Sequence, residues 1–350
     1  MADLKFLRKG GLALIFSFLI GIIVFFYFVF KLGPSAFEHI TENINLFYII
    51  LFFLCSFILF LIATWRARII LNAYKKKIPF FLLLKQIIAG YAISYITPGA
   101  RVGGEPVRIY MLKKEAGIDY RTGSASVLMD KFVEITGIVV FGLVGVILFV
   151  FSPEISYSLK IGVAISLIIV SFLLVFFYLR CIAGKGSFSS LFNLFMLNGF
   201  PKLKKYFYFI IDVEKKMGNF FIKHKKAFLN SFVVYALYLI ISILQMKFLL
   251  LGLGVDASFI MIMVSLTFLV VAEIIPVPAA LGLLEAGQSA VFSLFSKGGS
   301  VGFAVSIFLR ISAIFFVSLG FVFLSHFGWK RLEILLRKVF QTSEKNLERG

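Results

Sequence analysis

Long uncharged apolar runs restrict this chain to a lipid environment. Residues 12–30 and 161–178 contain no Asp, Glu, Lys or Arg. Each run is close to the ~20 residues a helix needs to cross a hydrocarbon core of ~30 Å. In lipid every backbone N–H and C=O must find its partner within the protein, so such a segment crosses as a helix. The rest of the sequence agrees. Of 350 residues, 61% are apolar, with Phe alone occurring 45 times, and 15% are charged, against about 45–50% and about 25% in soluble domains. The chain is therefore expected to be an all-α, polytopic transmembrane helical bundle forming one domain over 1–350.

Apolar segments fall at 11–31, 46–64, 79–97, 122–151, 158–179, 228–251, 258–275, 279–296 and 301–324. The first follows a short basic head. It is longer than the apolar core of a secretory signal and has no small-residue cleavage site after it, so it is expected to be a retained helix. Cys55 and Cys181 stand far apart, and His39, His224 and His326 are equally scattered, which suggests no disulfide framework, no metal site and no cofactor.

The formal charge of +19 would point to nucleic acid in a soluble protein. Here the positive residues collect between apolar runs, the pattern of cytoplasmic loops, and no nucleic-acid partner is expected. They lie in the head (Lys5, Arg8, Lys9), in Arg66, Arg68, Lys75, Lys76 and Lys77, in Arg108, Lys113, Lys114 and Arg121, in the connection 180–227 and in the tail 325–350. The other connections carry Glu38, Glu42, Glu154 and Asp256 and should face outward. Both termini are then cytoplasmic in a multi-pass protein of the cell membrane. The basic run Lys202 to Lys226 reads as an amphipathic linker lying on anionic headgroups.

Nine plain crossings cannot satisfy this charge pattern, because the segment 79–97 has basic loops on both sides. A consistent solution makes 79–97 with 104–116 a broken hairpin dipping in from the cytoplasm, and 258–275 with 279–296 another dipping in from outside. Six full crossings remain. The two turns are alike: Pro98 precedes Glu105 by seven positions, with Gly99, Gly103 and Gly104 between, and Pro278, after Pro276, precedes Glu285 by seven, with Gly282 between. Proline removes a helix hydrogen bond and glycine permits backbone that a helix forbids, so helices should break here. Broken backbone at membrane depth is tolerated only against protein or a watery cavity.

Twenty-five positions beyond each glutamate stands another charge, Asp130 after Glu105 and Arg310 after Glu285. The halves 46–151 and 228–324 thus read as an inverted repeat of crossing helix, re-entrant hairpin and crossing helix. Two such halves meeting near the midplane is a recurring transporter arrangement. A charge at the centre of a membrane helix costs roughly 2.5–3.5 kcal/mol on insertion scales, so the intramembrane charges are candidates for substrate contact. These are Arg101, Glu105, Arg108, Asp130, Glu134, Glu285 and Arg310. Asp130 and Glu134 share a helix face by their spacing. Arg310 is read as a substrate or counter-ion residue, or else as a structural partner of Glu285 or Glu273. Lys247 and Gln245 are placed near the outer interface without a role.

At the first turn (Ile96-Thr97-Pro98-Gly99-Ala100-Arg101-Val102-Gly103-Gly104-Glu105-Pro106-Val107-Arg108), at Asp130-Lys131 with Glu134, and at Pro276 to Glu285, the sequence resembles the flippase-like transmembrane domain of lysylphosphatidylglycerol synthases. That domain also occurs in stand-alone membrane proteins. The resemblance spans essentially the whole chain. The second turn departs from the glycine-rich form in having Ala279 and Ala280 with only Gly282. The resemblance implies movement of an amphipathic lipid between leaflets. Its headgroup phosphate, in an aminoacyl-phospholipid, another phospholipid or a polyprenol-linked lipid, would meet Arg101, Arg108 and Arg310, with Glu105 and Glu285 orienting them, accepting protons or binding a cationic headgroup. Two other functions are carried beside it: an intramembrane transferase with Asp130 or Glu134 as base, and a non-transporting partner of a separate lipid-modifying enzyme. The expected partners are membrane lipids with anionic headgroups, and the chain is read as transporter-like rather than as an enzyme.

Overall fold

The computed structural model describes residues 2–97, 103–150, 157–182, 201–275 and 277–347. Each expected apolar segment is helical over most of its length, with 279–282 belonging to the second break: α1 (Ala2–Asn43), α2 (Leu46–Ala73), α3 (Phe80–Ile96), α4 (Glu105–Ala116), α5 (Tyr120–Val150), α6 (Tyr157–Ile182), α7 (Pro201–Lys223), α8 (Lys225–Gly252), α9 (Phe259–Ile274), α10 (Leu283–Leu294) and α11 (Gly299–Leu347). The protein is a helical membrane bundle. Among the described residues four stretches are long and apolar enough to span a bilayer: Phe18–Asn43, Leu46–Ala73, Lys225–Gly252 and Gly299–Gly328. α5 and α6 are helical over 31 and 26 residues, and part of the crossings expected there lies outside the described side chains.

Local signals set the ends. The Asn45 side chain accepts from the Phe47 N–H at 3.1 Å to open α2, and Ser258 does the same for Met261 at 3.2 Å to open α9. Such caps satisfy N–H groups that have no partner within the helix. The two broken segments are short. α3 has 17 residues and α9 has 16, roughly 24–26 Å at 1.5 Å per residue, less than a hydrocarbon core of ~30 Å. After a break each is followed by a 12-residue helix, α4 and α10. The runs α2–α5 and α8–α11 therefore share one order of elements: long helix, short helix, break, short helix, long helix. Of the break residues, Pro98, Gly99 and Pro276 lie outside the described set.

α2 packs along α8 more extensively than any other pair of helices, and α11 packs along both α3 and α10. Phe52, Leu249, Leu250, Phe292 and Phe303 are wholly buried at the first of these seams and around it. Lipid tails are as apolar as these side chains, so close van der Waals contact between surfaces, rather than escape from water, holds the seam. Other phenylalanines, Phe30 and Phe172 among them, point outward, where lipid covers them.

The connection expected to lie on headgroups is in part helix α7. Its apolar stripe of Val213, Met217, Phe220 and Phe221 is buried against Met129 and Val133 of α5, Phe177 and Tyr178 of α6, and Tyr235 of α8. Protein, rather than a bilayer surface, takes its apolar face, while Tyr206 and Tyr208 stay exposed.

Candidate functional site

Four of the charges predicted in the first half, Glu105, Arg108, Asp130 and Glu134, meet in one cluster, joined by two more. Arg66 is the larger correction. Its place among the basic residues beyond the 46–64 segment implied a solvated loop, yet α2 continues to Ala73 and Arg66 is 4% exposed. Leu59, Ile62, Arg66 and Ile70 are all buried, whereas Trp65 and Arg68 are exposed. This three-and-four spacing marks one helical face and was present in the sequence.

From that face Arg66 Nε donates to Asp130 Oδ1 at 2.6 Å, and Nη2 donates to Glu134 Oε2 at 3.5 Å. Arg108, in the first turns of α4, donates through Nη2 to Asp130 Oδ2 at 2.9 Å and through Nη1 to Glu105 Oε2 at 3.3 Å. Lys131 Nζ donates to Glu134 Oε1 at 3.1 Å and lies 3.6 Å from Glu105 Oε1. The contacts close a ring in which cation and anion alternate: Arg66, Asp130, Arg108, Glu105, Lys131, Glu134. Three positive charges balance three negative ones, the arrangement in which charges away from water offset their desolvation best. The Arg66 guanidinium also lies over the Tyr235 ring, 5.2 Å from its centre. Arg101 lies outside the described residues.

The ring depends on how closely α4 begins against α3. The Gly104 N–H donates to Ser94 Oγ at 2.8 Å, and a Cβ on Gly104 would collide with the Gly90 carbonyl oxygen. Gly104→Ala should push Glu105 and Arg108 off their partners and cost about 1–3 kcal/mol, as overpacking does. Thermal unfolding of the purified protein in detergent checks this, and an unchanged midpoint would contradict the close approach.

The second break is held by Arg310. Its Nε is paired with Glu285 Oε1, and its Nη2 donates to Glu285 Oε2 at 3.0 Å and to the Ala280 carbonyl at 3.4 Å. Nη1 donates to the Ala279 carbonyl and the Tyr95 hydroxyl, both at 3.2 Å. A guanidinium has five N–H donors, and these five bonds use them all within the protein. Glu285, 1% exposed, also accepts from the Gly282 N–H at 2.9 Å. Ala279 and Ala280 have φ of 55° and 49°, a left-handed conformation that costs a non-glycine residue about 1–3 kcal/mol. Binding of their carbonyls to Arg310 offsets that cost. Gly282, at φ 76°, adopts its conformation freely. Arg310 is thus paired with Glu285, and Tyr95 ties the pair to α3.

A cavity of about 340 Å³ lies between these elements. All six ring residues line it, as do Ala279, Ala280 and Tyr95, while Arg310 and Glu285 sit behind those three. A further polar group was missed in the sequence. Gln245 Nε2 donates to Ser56 Oγ at 2.6 Å, and Ser312 Oγ donates to the same atom at 3.1 Å. Gln245 therefore faces the interior, and with Ser242 these residues also line the cavity. Ser56 and Arg66 lie on the same helix, separated by roughly 15 Å of helix rise, so the cavity is elongated along α2. Tyr91, Tyr235 and Tyr238 add rings with hydroxyls to its wall. Among the described residues no group of His, Cys, Asp and Glu is arranged to hold a metal ion.

The sequence model of a family described as the lysylphosphatidylglycerol synthase TM region matches residues 14–320. Two proteins from Methanothermobacter thermautotrophicus, each named UPF0104 membrane protein, are similar to the chain: one is 21% identical over 95% of this chain and 99% of its own length, the other 23% identical over 88% and 91%. A UPF0104 membrane protein of Pyrococcus horikoshii is 27% identical over 74% of this chain and 80% of its own. No solved structure matches the chain.

Proposed function

Because the chain belongs to the family of the lysylphosphatidylglycerol synthase TM region, a membrane lipid-related role is its frame, and we propose that it carries an amphipathic, phosphate-bearing lipid between leaflets. The observation that carries this reading is the elongated cavity, lined by ionic, hydroxyl and aromatic groups, inside a bundle whose outer surface is apolar. Its volume of about 340 Å³ falls at the lower end of ligand pockets, roughly 300–1,000 Å³, a fit for a headgroup without its tails. A bare headgroup crossing hydrocarbon loses several kcal/mol per unsatisfied polar group. A cavity that supplies those partners lowers the barrier while the tails remain in lipid.

In this reading the two broken hairpins, α3–α4 and α9–α10, are the moving parts. Their common order of elements supports an inverted pair that opens the cavity alternately to each side. The basic ring residues Arg108 and Lys131 face the phosphate. Ser56, Gln245 and Ser312 take hydroxyl or ester oxygens as the headgroup passes along α2. Arg310 and Glu285 shape the second hairpin and act on the lipid only through it.

The test is leaflet exchange of fluorescent phosphatidylglycerol in vesicles carrying the full chain. Wild type should exchange the lipid faster than protein-free vesicles, and Arg108→Gln should lose most of the gain. Absence of exchange for every labelled lipid tried would discard transport and favour the non-transporting partner of a lipid-modifying enzyme.

A further inference from the structure

Every cation of the ring already faces a carboxylate, so an entering phosphate competes with a resident anion. We infer that Glu105 is a resident counter-anion: it occupies the place of a phosphate ester between Arg108 and Lys131, and the ester displaces it. The inference deepens the transport reading and rests on it for its setting, but the site can be measured by binding alone.

The three carboxylates of the ring are held unequally. Asp130 bridges two guanidiniums at 2.6 and 2.9 Å. Glu134 has one firm contact, to Lys131 at 3.1 Å. Among the described residues Glu105 has only the long contacts, 3.3 Å to Arg108 and 3.6 Å to Lys131, near or beyond the limit of a useful hydrogen bond. Its two oxygens are approached by two different cations. The same approach suits the two non-bridging oxygens of a phosphate ester, which guanidinium and ammonium groups both bind. Glu105, Arg108 and Lys131 all line the cavity. Glu105 is also the first residue of α4, directly after the break, where its side chain can swing without unravelling a helix interior.

Among the described residues no ring cation is left over for a displaced Glu105: Arg66 of α2 is taken by Asp130 and Glu134. The cavity wall beyond is made by Tyr91 and Tyr95 of α3 and Tyr235 and Tyr238 of α8. A neutral amide in place of the Glu105 carboxylate removes the competing anion.

The experiment titrates the full chain in detergent with short-chain dihexanoylphosphatidylglycerol and, separately, with inorganic phosphate, at neutral pH. Glu105→Gln should bind the lipid about tenfold tighter than wild type, the factor that ~1.4 kcal/mol represents, whereas Glu105→Asp, which keeps the competing charge, should not. Arg108→Gln and Lys131→Gln should each weaken binding about tenfold or more. Weaker or unchanged binding by Glu105→Gln, or a larger tightening by Glu134→Gln, would overturn the assignment. An equal response to inorganic phosphate would overturn the lipid as the source of the ester. The two readings separate cleanly: tightening in Glu105→Gln without leaflet exchange by wild type keeps the site and discards transport, and exchange with unaltered Glu105→Gln affinity does the reverse.

Discussion

Arg310→Leu is expected to lower the thermal midpoint of the detergent-purified protein as far as any single substitution in the bundle. It strips the cation from Glu285, which is 1% exposed, and frees the carbonyls of Ala279 and Ala280, whose backbone is already strained. Removing one partner of a buried ion pair costs about 3–5 kcal/mol, whereas replacing both with uncharged residues is often near neutral. The double variant Arg310→Leu with Glu285→Gln should therefore recover much of the loss, since glutamine still accepts from the Gly282 N–H. A single variant as stable as wild type, or a double variant no better than the single, would show that the pair does not hold the second break.

Arg66→Leu should produce a loss of similar size, about 3–5 kcal/mol, because Asp130 and Glu134 both lose a donor while Asp130 is 3% exposed. Arg68→Leu, two residues on and exposed, should stay within about 0.5 kcal/mol, as surface changes do. Arg66→Lys should not restore the ring, since a single ammonium lacks the planar fork that reaches two carboxylates at once. Unfolding midpoints of the three variants decide it. Equal effects at positions 66 and 68 would mean that both are solvated loop cations.

The contrast between these two arginines shows where sequence reasoning stops in a membrane protein. In a soluble helix the apolar stripe reveals the buried face. α2 is apolar nearly all round, because lipid and protein interior ask for the same side chains, and the face that carries Arg66 shows only as a faint spacing among Leu59, Ile62 and Ile70. Gln245 was misplaced for the same reason. It lies near one end of an apolar run, and only the neighbouring Ser56 and Ser312 reveal that it points inward. The 180–227 connection presents the opposite case. The amphipathic character of α7 was legible, but whether lipid or protein covers its apolar stripe depends on α5, α6 and α8.

By itself the sequence determined that the chain lives in a bilayer, where its helices lie, and that charged, glycine- and proline-bearing breaks interrupt it twice. These follow from properties local to a segment: hydrocarbon length, and the backbone limits of proline and glycine. Only the tertiary structure decided which charges meet. Arg66 pairs across 64 residues with Asp130, and Arg310 reaches Tyr95 across 215. Charge pairing acts through space once helices have packed, and the uniform apolar surfaces that do the packing carry little record of their partners.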